Sequence, residues 1–248
     1  MILWSSAVVG VSLGLVVAGA ALAEDAGVAG REGLAGVPVE ELIARGRKSV
    51  ESLGIYRERM VKRERVGGKV LPSQTVELVV RTQPFAVRFD FLAGPGAGRR
   101  VLYNPLVRAD AMRVRESGVL HLFGGIWISI DSSLAFGETN HKVTDSGFSA
   151  IIDQIQADFD KSKPAGGFSR QDLGWNERGR WCMAFTAPKD ATGLRAQTCR
   201  ICADPVTALP MELEISDRQG FLESYLHSDV RPHQADGAEA LTLEGAKL

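Results

Sequence analysis

The sequence predicts an α+β domain that is mainly β: an antiparallel sheet of short strands, with two amphipathic helices able to cover one of its faces. Three observations carry this reading. Phe85, Val87, Phe89 and Phe91 alternate with Ala86, Arg88 and Asp90, the period of a strand with one buried face. Gly94, Pro95, Gly96 and Gly98 then turn the chain, and Arg99 to Asn104 return as a second strand. Similar alternations recur along the chain, whereas only two stretches carry a clear helical period.

The first helix is expected where Val39, Leu42, Ile43, Gly46, Val50 and Leu53 fall at helical spacing. Pro38 suits its first turn, Glu40 and Glu41 complement its N-terminal end, and Gly54 follows its last residue. Ile55 to Val66 reads as a charged strand, and Gly67-Gly68 as a hairpin turn. Thr75 to Arg81 alternates Val76, Leu78 and Val80 with polar partners, and Ala111 to Arg115 sets Met112 and Val114 between arginines. Gly118 to Ile130 is a longer apolar region whose Gly124-Gly125 pair predicts a loop or bulge.

The second helix is marked by Phe148, Ile151, Ile152, Ile155 and Phe159, a single apolar stripe. Thr144 or Asp145 is a candidate cap, and Pro164 with Gly166-Gly167 closes the segment. Four more strands are expected: Gly179 to Ala187 with Trp181, Met183 and Phe185, then Leu194 to Ala203 after an Asp190–Gly193 turn. Pro210 to Ser216 carries Met211, Leu213 and Ile215, and Phe221 to Val230 ends the sheet. Residues 37–231 thus make one domain. Residues 24–36, rich in Gly and Ala, read as a flexible lead-in, and 232–248 as a loose tail.

Residues 2–23 are uncharged, and Ala21-Leu22-Ala23 has the small-x-small form of a signal-peptidase site. The expectation is export to the periplasm with cleavage after Ala23. The alternative is an uncleaved inner-membrane anchor, since the stretch is long enough to span a bilayer. Twenty-nine basic residues against thirty acidic ones exclude a net field that would attract nucleic acid. Arg57, Arg59, Lys62, Arg63 and Arg65 crowd one strand, either as a solvated face blunting a sheet edge or as a patch for anionic lipid or an acidic partner.

No motif points to covalent chemistry. The four histidines lie in different elements without HxxxH or HExxH spacing, and Ser132-Ser133 is not a GxSxG elbow. Gly94 to Gly98 lacks the Lys-Ser/Thr of a phosphate loop. Cys199 and Cys202 match CxxC but fall inside a predicted strand, where residues three apart face opposite sides. A cross-strand Cys182–Cys199 disulfide is the candidate pairing in an oxidising compartment. Two thiols lack the companions a zinc site needs, so neither metal nor cofactor is expected.

Three stretches carry a resemblance: PFAVRFDFLAGPGAGRRVLYN from Pro84, NHKVTDSGF from Asn140, and DPVTALPMELEISDRQGFLESYLHSDV from Asp204 to Val230. They resemble an exported bacterial family, domain-of-unknown-function family 1571, over roughly Val39 to Val230. Within the last stretch, the strand pair from Leu209-Pro210 through Tyr225 resembles a motif widespread among proteins similar to the outer-membrane lipoprotein carriers LolA and LolB. The resemblance implies a strongly curved antiparallel half-barrel with helices closing its concave side, and supplies no enzymatic activity. Leu106 to Ile130 departs from the carriers.

In such a half-barrel the alternation nominates Val76, Leu78, Phe85, Val87, Phe89, Phe91, Trp181, Met183, Phe185, Met211, Leu213 and Ile215 as the concave lining. Either the helices fill this face, or an apolar cleft holds an acyl chain. The first function expected is a non-enzymatic, monomeric carrier of a lipid or an acylated protein. The second is an envelope adaptor with a filled face, meeting a protein partner through the basic strand.

Overall fold

The computed structural model describes residues 33–118 and 124–248. The expected signal segment, most of the lead-in, and Leu120, Leu122 and Phe123 of the apolar region lie outside the described residues. Among the described residues no helix is long and apolar enough to cross a membrane.

Helix α1 (Val39–Leu53) leads into strand β1 (Ile55–Val66), a two-residue β2 (Lys69–Val70), and then β3 (Gln74–Arg81), β4 (Ala86–Ala93), β5 (Arg100–Tyr103), β6 (Ala111–Arg115) and β7 (Ile126–Ser129). Helix α2 (Gly147–Ser162) precedes β8 (Ser169–Trp175), β9 (Trp181–Thr186), β10 (Thr198–Ala203), β11 (Pro210–Asp217) and β12 (Gly220–Pro232), and a short α3 (Gln234–Ala240) follows. The strands form one open, curved antiparallel sheet in the order β7-β6-β5-β4-β3-β1-β12-β11-β10-β9-β8, with β2 paired to β1. The mainly β expectation therefore holds. Strand β8 was not anticipated, because Ser169 to Trp175 lacks an apolar alternation.

The basic strand is central, not an edge. β1 pairs with β3 on one side and β12 on the other. Its arginines leave by the convex face and find partners there: Arg57 pairs with Glu77, Arg59 with Asp229 at 3.6 Å, and Arg65 with Asp217, while Arg63 lies over the Phe221 ring.

Helices α1 and α2 lie on the concave side. Ile43 and Val50 of α1 and Phe148 and Ile152 of α2 join one core with Tyr56, Val76, Leu78, Val80 and Val87. A second core collects Leu34, Leu42, Met183, Phe185, Ile201 and Ile215. Leu34 is fully buried, so the end of the expected lead-in is packed. Neither Thr144 nor Asp145 caps α2. The Phe148 amide instead donates to the Tyr56 hydroxyl at 3.0 Å, a cap supplied from the sheet. Gly147 makes this possible: its φ is +79°, and a Cβ there would stand 2.7 Å from the Tyr56 oxygen.

The expected loose tail is ordered against the convex face. Ala240, Leu241 and Ala246 bury against Val79, Ala86 and Leu102. Arg88, Arg100 and Arg115 donate to the carbonyls of Ala240, Ala246 and Lys247. The clue was the unbroken run Leu78-Val79-Val80, which signals a strand covered on both faces.

The cysteine pairing is also corrected. The disulfide joins Cys182 to Cys202, and Cys199 is free and buried. Trp181, Met183 and Phe185 belong to the concave-side cores, so the pleat sends Cys182 to the convex face. Cys199 sits opposite Phe185 and Ile215, facing inward, whereas Cys202 lies directly opposite Cys182. Burial pushes the Cys199 thiol up to about 12, which leaves it inert.

Two outcomes are expected. Replacing Cys182 with Ser should cost roughly 2–4 kcal/mol in a non-reducing urea titration, and peptide mapping should recover a bridged 182–202 peptide that survives in Cys199→Ser. Leu241→Ala should cost about 2–4 kcal/mol by the same titration; a tail that did not pack would show no change.

Candidate functional site: a cavity with a polar floor

Between the sheet, helix α2 and the segment 134–147 lies a cavity of about 820 Å³, within the range of small-molecule sites. Of the twelve expected lining residues, Leu78, Phe89, Phe91, Leu213 and Ile215 border it. Met183 and Phe185 border only a gap of about 40 Å³ beneath α1 and α2. Val76 and Val87 are fully buried in the core, and Phe85 and Met211 pack against that core. Trp181 packs against the second core and lines neither space; its ring is edge-on to that of Trp175, and its indole donates to Asp172 at 3.2 Å. The concave face is thus divided: the helices fill part of it and leave the rest as a cavity.

The floor of this cavity is polar, which the sequence reading missed. Along the central seam Met60 faces His227, Lys62 faces Tyr225, and Glu64 faces Glu223. Glu58, Glu64, Glu223 and His227 are all buried. Burial of such groups requires partners, and most have them. Glu64 takes Lys62 Nζ at 3.1 Å, the Thr139 hydroxyl at 3.0 Å and the Asn140 amide at 2.8 Å. Glu223 Oε1 accepts from Arg195 Nε at 3.1 Å, and its Oε2 meets Arg195 Nη2, His141 Nε2 at 2.9 Å and the Tyr225 hydroxyl at 3.3 Å. Arg195 comes from the β9–β10 connection, a position the sequence assigned to a strand.

Burial alone would raise the Glu223 carboxyl, but the hydrogen bonds and charges of His141 and Arg195 prevail and hold it below the usual carboxylate range. Burial, reinforced by the charges of Glu223 and Glu64, pushes the Tyr225 phenol well above its ordinary value, so Tyr225 acts as a donor. Glu64, His141 and Glu223 bring three potential metal ligands within 4.8 Å of one another. Arg195 Nη2, however, lies 2.7 Å from His141 Nε2 and also holds Glu223. A guanidinium at that point repels a cation, so the cluster reads as an ion-pair network and fits a metal poorly.

At the rim, Arg99 pairs with Glu116 at 2.9 Å and Glu138 at 2.8 Å and covers the Phe91 ring at 5.6 Å. This ties β5 to the segment over the cavity. A signal for the floor did exist in the sequence. In β1 four arginines occupy one alternation phase, whereas Glu58, Met60, Lys62 and Glu64 occupy the other.

The network makes a pH-dependent prediction. A carboxylate lowered on folding contributes stability that is complete above its unfolded value of about 4.3 and is lost as pH falls through the folded value. Glu223→Gln should cost roughly 2–3 kcal/mol at neutral pH, moderated because Arg195 is 23 % exposed. The gap between wild type and variant should narrow on acidification, read from urea midpoints at neutral and acid pH. A pH-independent gap would remove the ion pair as its source.

No curated protein matches the chain. Among solved structures, the putative outer membrane lipoprotein-sorting protein domain of Vibrio parahaemolyticus is 12% identical, covering 88% of this chain and 100% of that one at a TM-score of 0.41. A LolA superfamily protein from Nitrosomonas europaea is 9% identical over 84% and 99% of the two chains, with a TM-score of 0.38. The lipoprotein LppX of Mycobacterium tuberculosis is 14% identical over 79% and 98%, with a TM-score of 0.44. The family described as "Protein of unknown function (DUF1571)" matches residues 54–235, and the chain belongs to that family.

Proposed function

We propose that the protein is an exported, periplasmic carrier that sequesters the acyl chain of a lipid or acylated protein, without covalent chemistry. The observation that carries this reading is the cavity itself: about 820 Å³ of space on the concave face, where a monomeric domain with a filled core would have none. The lining is mixed, and its apolar part includes Leu78, Phe89, Phe91, Val101, Ile151 and Leu213. Each methylene transferred from water to such walls contributes about 0.8 kcal/mol. Met60 and Met112 also border the space, and the pliant thioether suits chains of differing length and unsaturation.

The adaptor alternative required a filled face and a free basic strand. The cavity and the paired arginines of β1 both argue against it. A nucleophile–base arrangement is also wanting at the floor: Tyr225 is held as a donor, and Cys199 belongs to the packed core, away from the cavity lining.

The test is native mass spectrometry of protein purified from the periplasm, followed by solvent extraction and lipid analysis. A co-purifying lipid is expected, together with uptake of a fluorescent acyl probe. Phe89→Asp, which places a charge on the wall, should weaken probe binding at least tenfold, the factor for each 1.4 kcal/mol lost. A clean apo mass with no probe uptake would overturn the reading.

A further inference from the structure

The arginines of β1 find carboxylate or ring partners on the convex face, but two arginines of β6 have no carboxylate. Arg113 and Arg115 point to the convex side, since Met112 and Val114, which alternate with them, line the cavity. Among the described residues, Arg115 donates to the Lys247 carbonyl at 2.7 Å, Arg113 lies over the Trp127 ring at 5.4 Å, and neither makes an ion pair. The acidic residues flanking them in sequence or across the sheet are already engaged. Asp90 holds Arg88 and Arg100, Asp110 holds Arg108, and Glu116 holds Arg99.

Apolar side chains are exposed around the same edge. β7 is the last strand on its side of the sheet, so residues of both faces meet there. Trp127 lies opposite Arg113 on the convex side, and Ile126, 54% exposed, lies opposite Val114 on the concave side. Arg108, in the β5–β6 turn, lies over Trp127 at 5.3 Å. It is preceded by Leu106 and Val107, both exposed. Leu134, 77% exposed, follows in a short 3-10 helix (Ser133–Phe136) that packs against β7. Among the described residues, Leu134 is the one large apolar side chain that is both exposed and part of the cavity lining. Ile128, two residues along β7 from Ile126, also borders the cavity. Leu134 and Ile128 thus join this edge to the cavity.

Two features select the occupant. Guanidinium groups without a carboxylate call for an anionic surface, and the attraction is local, because the whole chain has a net charge of −1. A Trp flanked by arginines, beside exposed aliphatic side chains, is a composition suited to a lipid headgroup layer. An acidic protein segment accounts for the arginines but not for the exposed aliphatic side chains; a bilayer accounts for both. We infer that the protein docks on an anionic phospholipid bilayer through its β7 edge, with Arg113 and Arg115 on the phosphates and Leu134 at the bilayer surface. The docking goes beyond the carrier reading. Its use rests on that reading: an acyl chain passes between bilayer and cavity over Leu134 and Ile128.

The test is flotation of the full mature protein with vesicles of phosphatidylcholine alone and of phosphatidylcholine mixed with phosphatidylglycerol. Binding is expected to the mixed vesicles and should weaken as salt rises. Arg113→Gln with Arg115→Gln should weaken it about twenty-five-fold, about fivefold for each charge near an anionic surface. Arg57→Gln with Arg59→Gln, at positions already paired with carboxylates, should change it little. Neither Arg113 nor Arg115 borders the cavity. Their double variant should therefore bind a fluorescent acyl probe in solution as the wild type does, which also checks its folding, yet take the probe up from mixed vesicles more slowly. No binding to mixed vesicles would overturn the membrane edge and turn the arginines toward an acidic protein. Binding indifferent to phosphatidylglycerol, or an equal loss in the Arg57 and Arg59 variant, would overturn it too. Each of these leaves the carrier reading standing. A probe that fails to bind in solution would overturn the carrier reading, and flotation would still decide the docking.

Discussion

The structure depends on what its two long central strands place on the concave face. β1 and β12 run side by side through the middle of the sheet, and their inward positions carry Glu58, Lys62, Glu64, Glu223, Tyr225 and His227. An apolar helix laid across such a row would strip water from charges it could not pair. The inward groups therefore pair among themselves and with Arg195, His141 and Thr139, all supplied by connecting segments. The helices dock at one end of the row, where Phe148 packs on Tyr56 and His227, and over the apolar residues beside it. The rest of the row, from Lys62 and Glu64 to Glu223 and Tyr225, is left facing the cavity.

This constraint explains why the outer parts of the molecule were legible in the sequence and the centre was not. In β4 the inward residues are apolar and the outward ones polar, so Phe85 to Phe91 announce both the strand and its buried side. The stripe of α2 is equally plain. In β1 both alternation phases are charged, so hydropathy assigns no inside, and the strand reads as an edge. What separates the phases is the sign and pairing of the charges, which depends on Asp217, Asp229 and Glu77, residues remote in sequence or on neighbouring strands.

The other departures have local causes. The disulfide partner of Cys182 could have been read from the pleat, since Trp181, Met183 and Phe185 point inward and Cys182 must not. Counting back from Asp190–Gly193 agrees, since it puts Ile201 opposite Cys182, one residue from Cys202 and two from Cys199; the β9–β10 connection between them carries Arg195 to the floor. The C-terminal segment has no periodicity of its own. Its burial is written in its partners, the outward Val79 and Leu102.

The outer face has a mechanical consequence. The C-terminal segment crosses β3, β4 and β5 on the convex side and is clamped by Arg88, Arg100 and Arg115. On the other flank the Cys182–Cys202 bridge stitches β9 to β10 from the same side. Each wing of the half-barrel thus has an external splint, while the seam between them is pinned by charge, Arg59 to Asp229 on one face and Glu58 to His227 on the other. The sheet is built as two splinted leaves, and the cavity floor lies along the seam of paired charges that joins them.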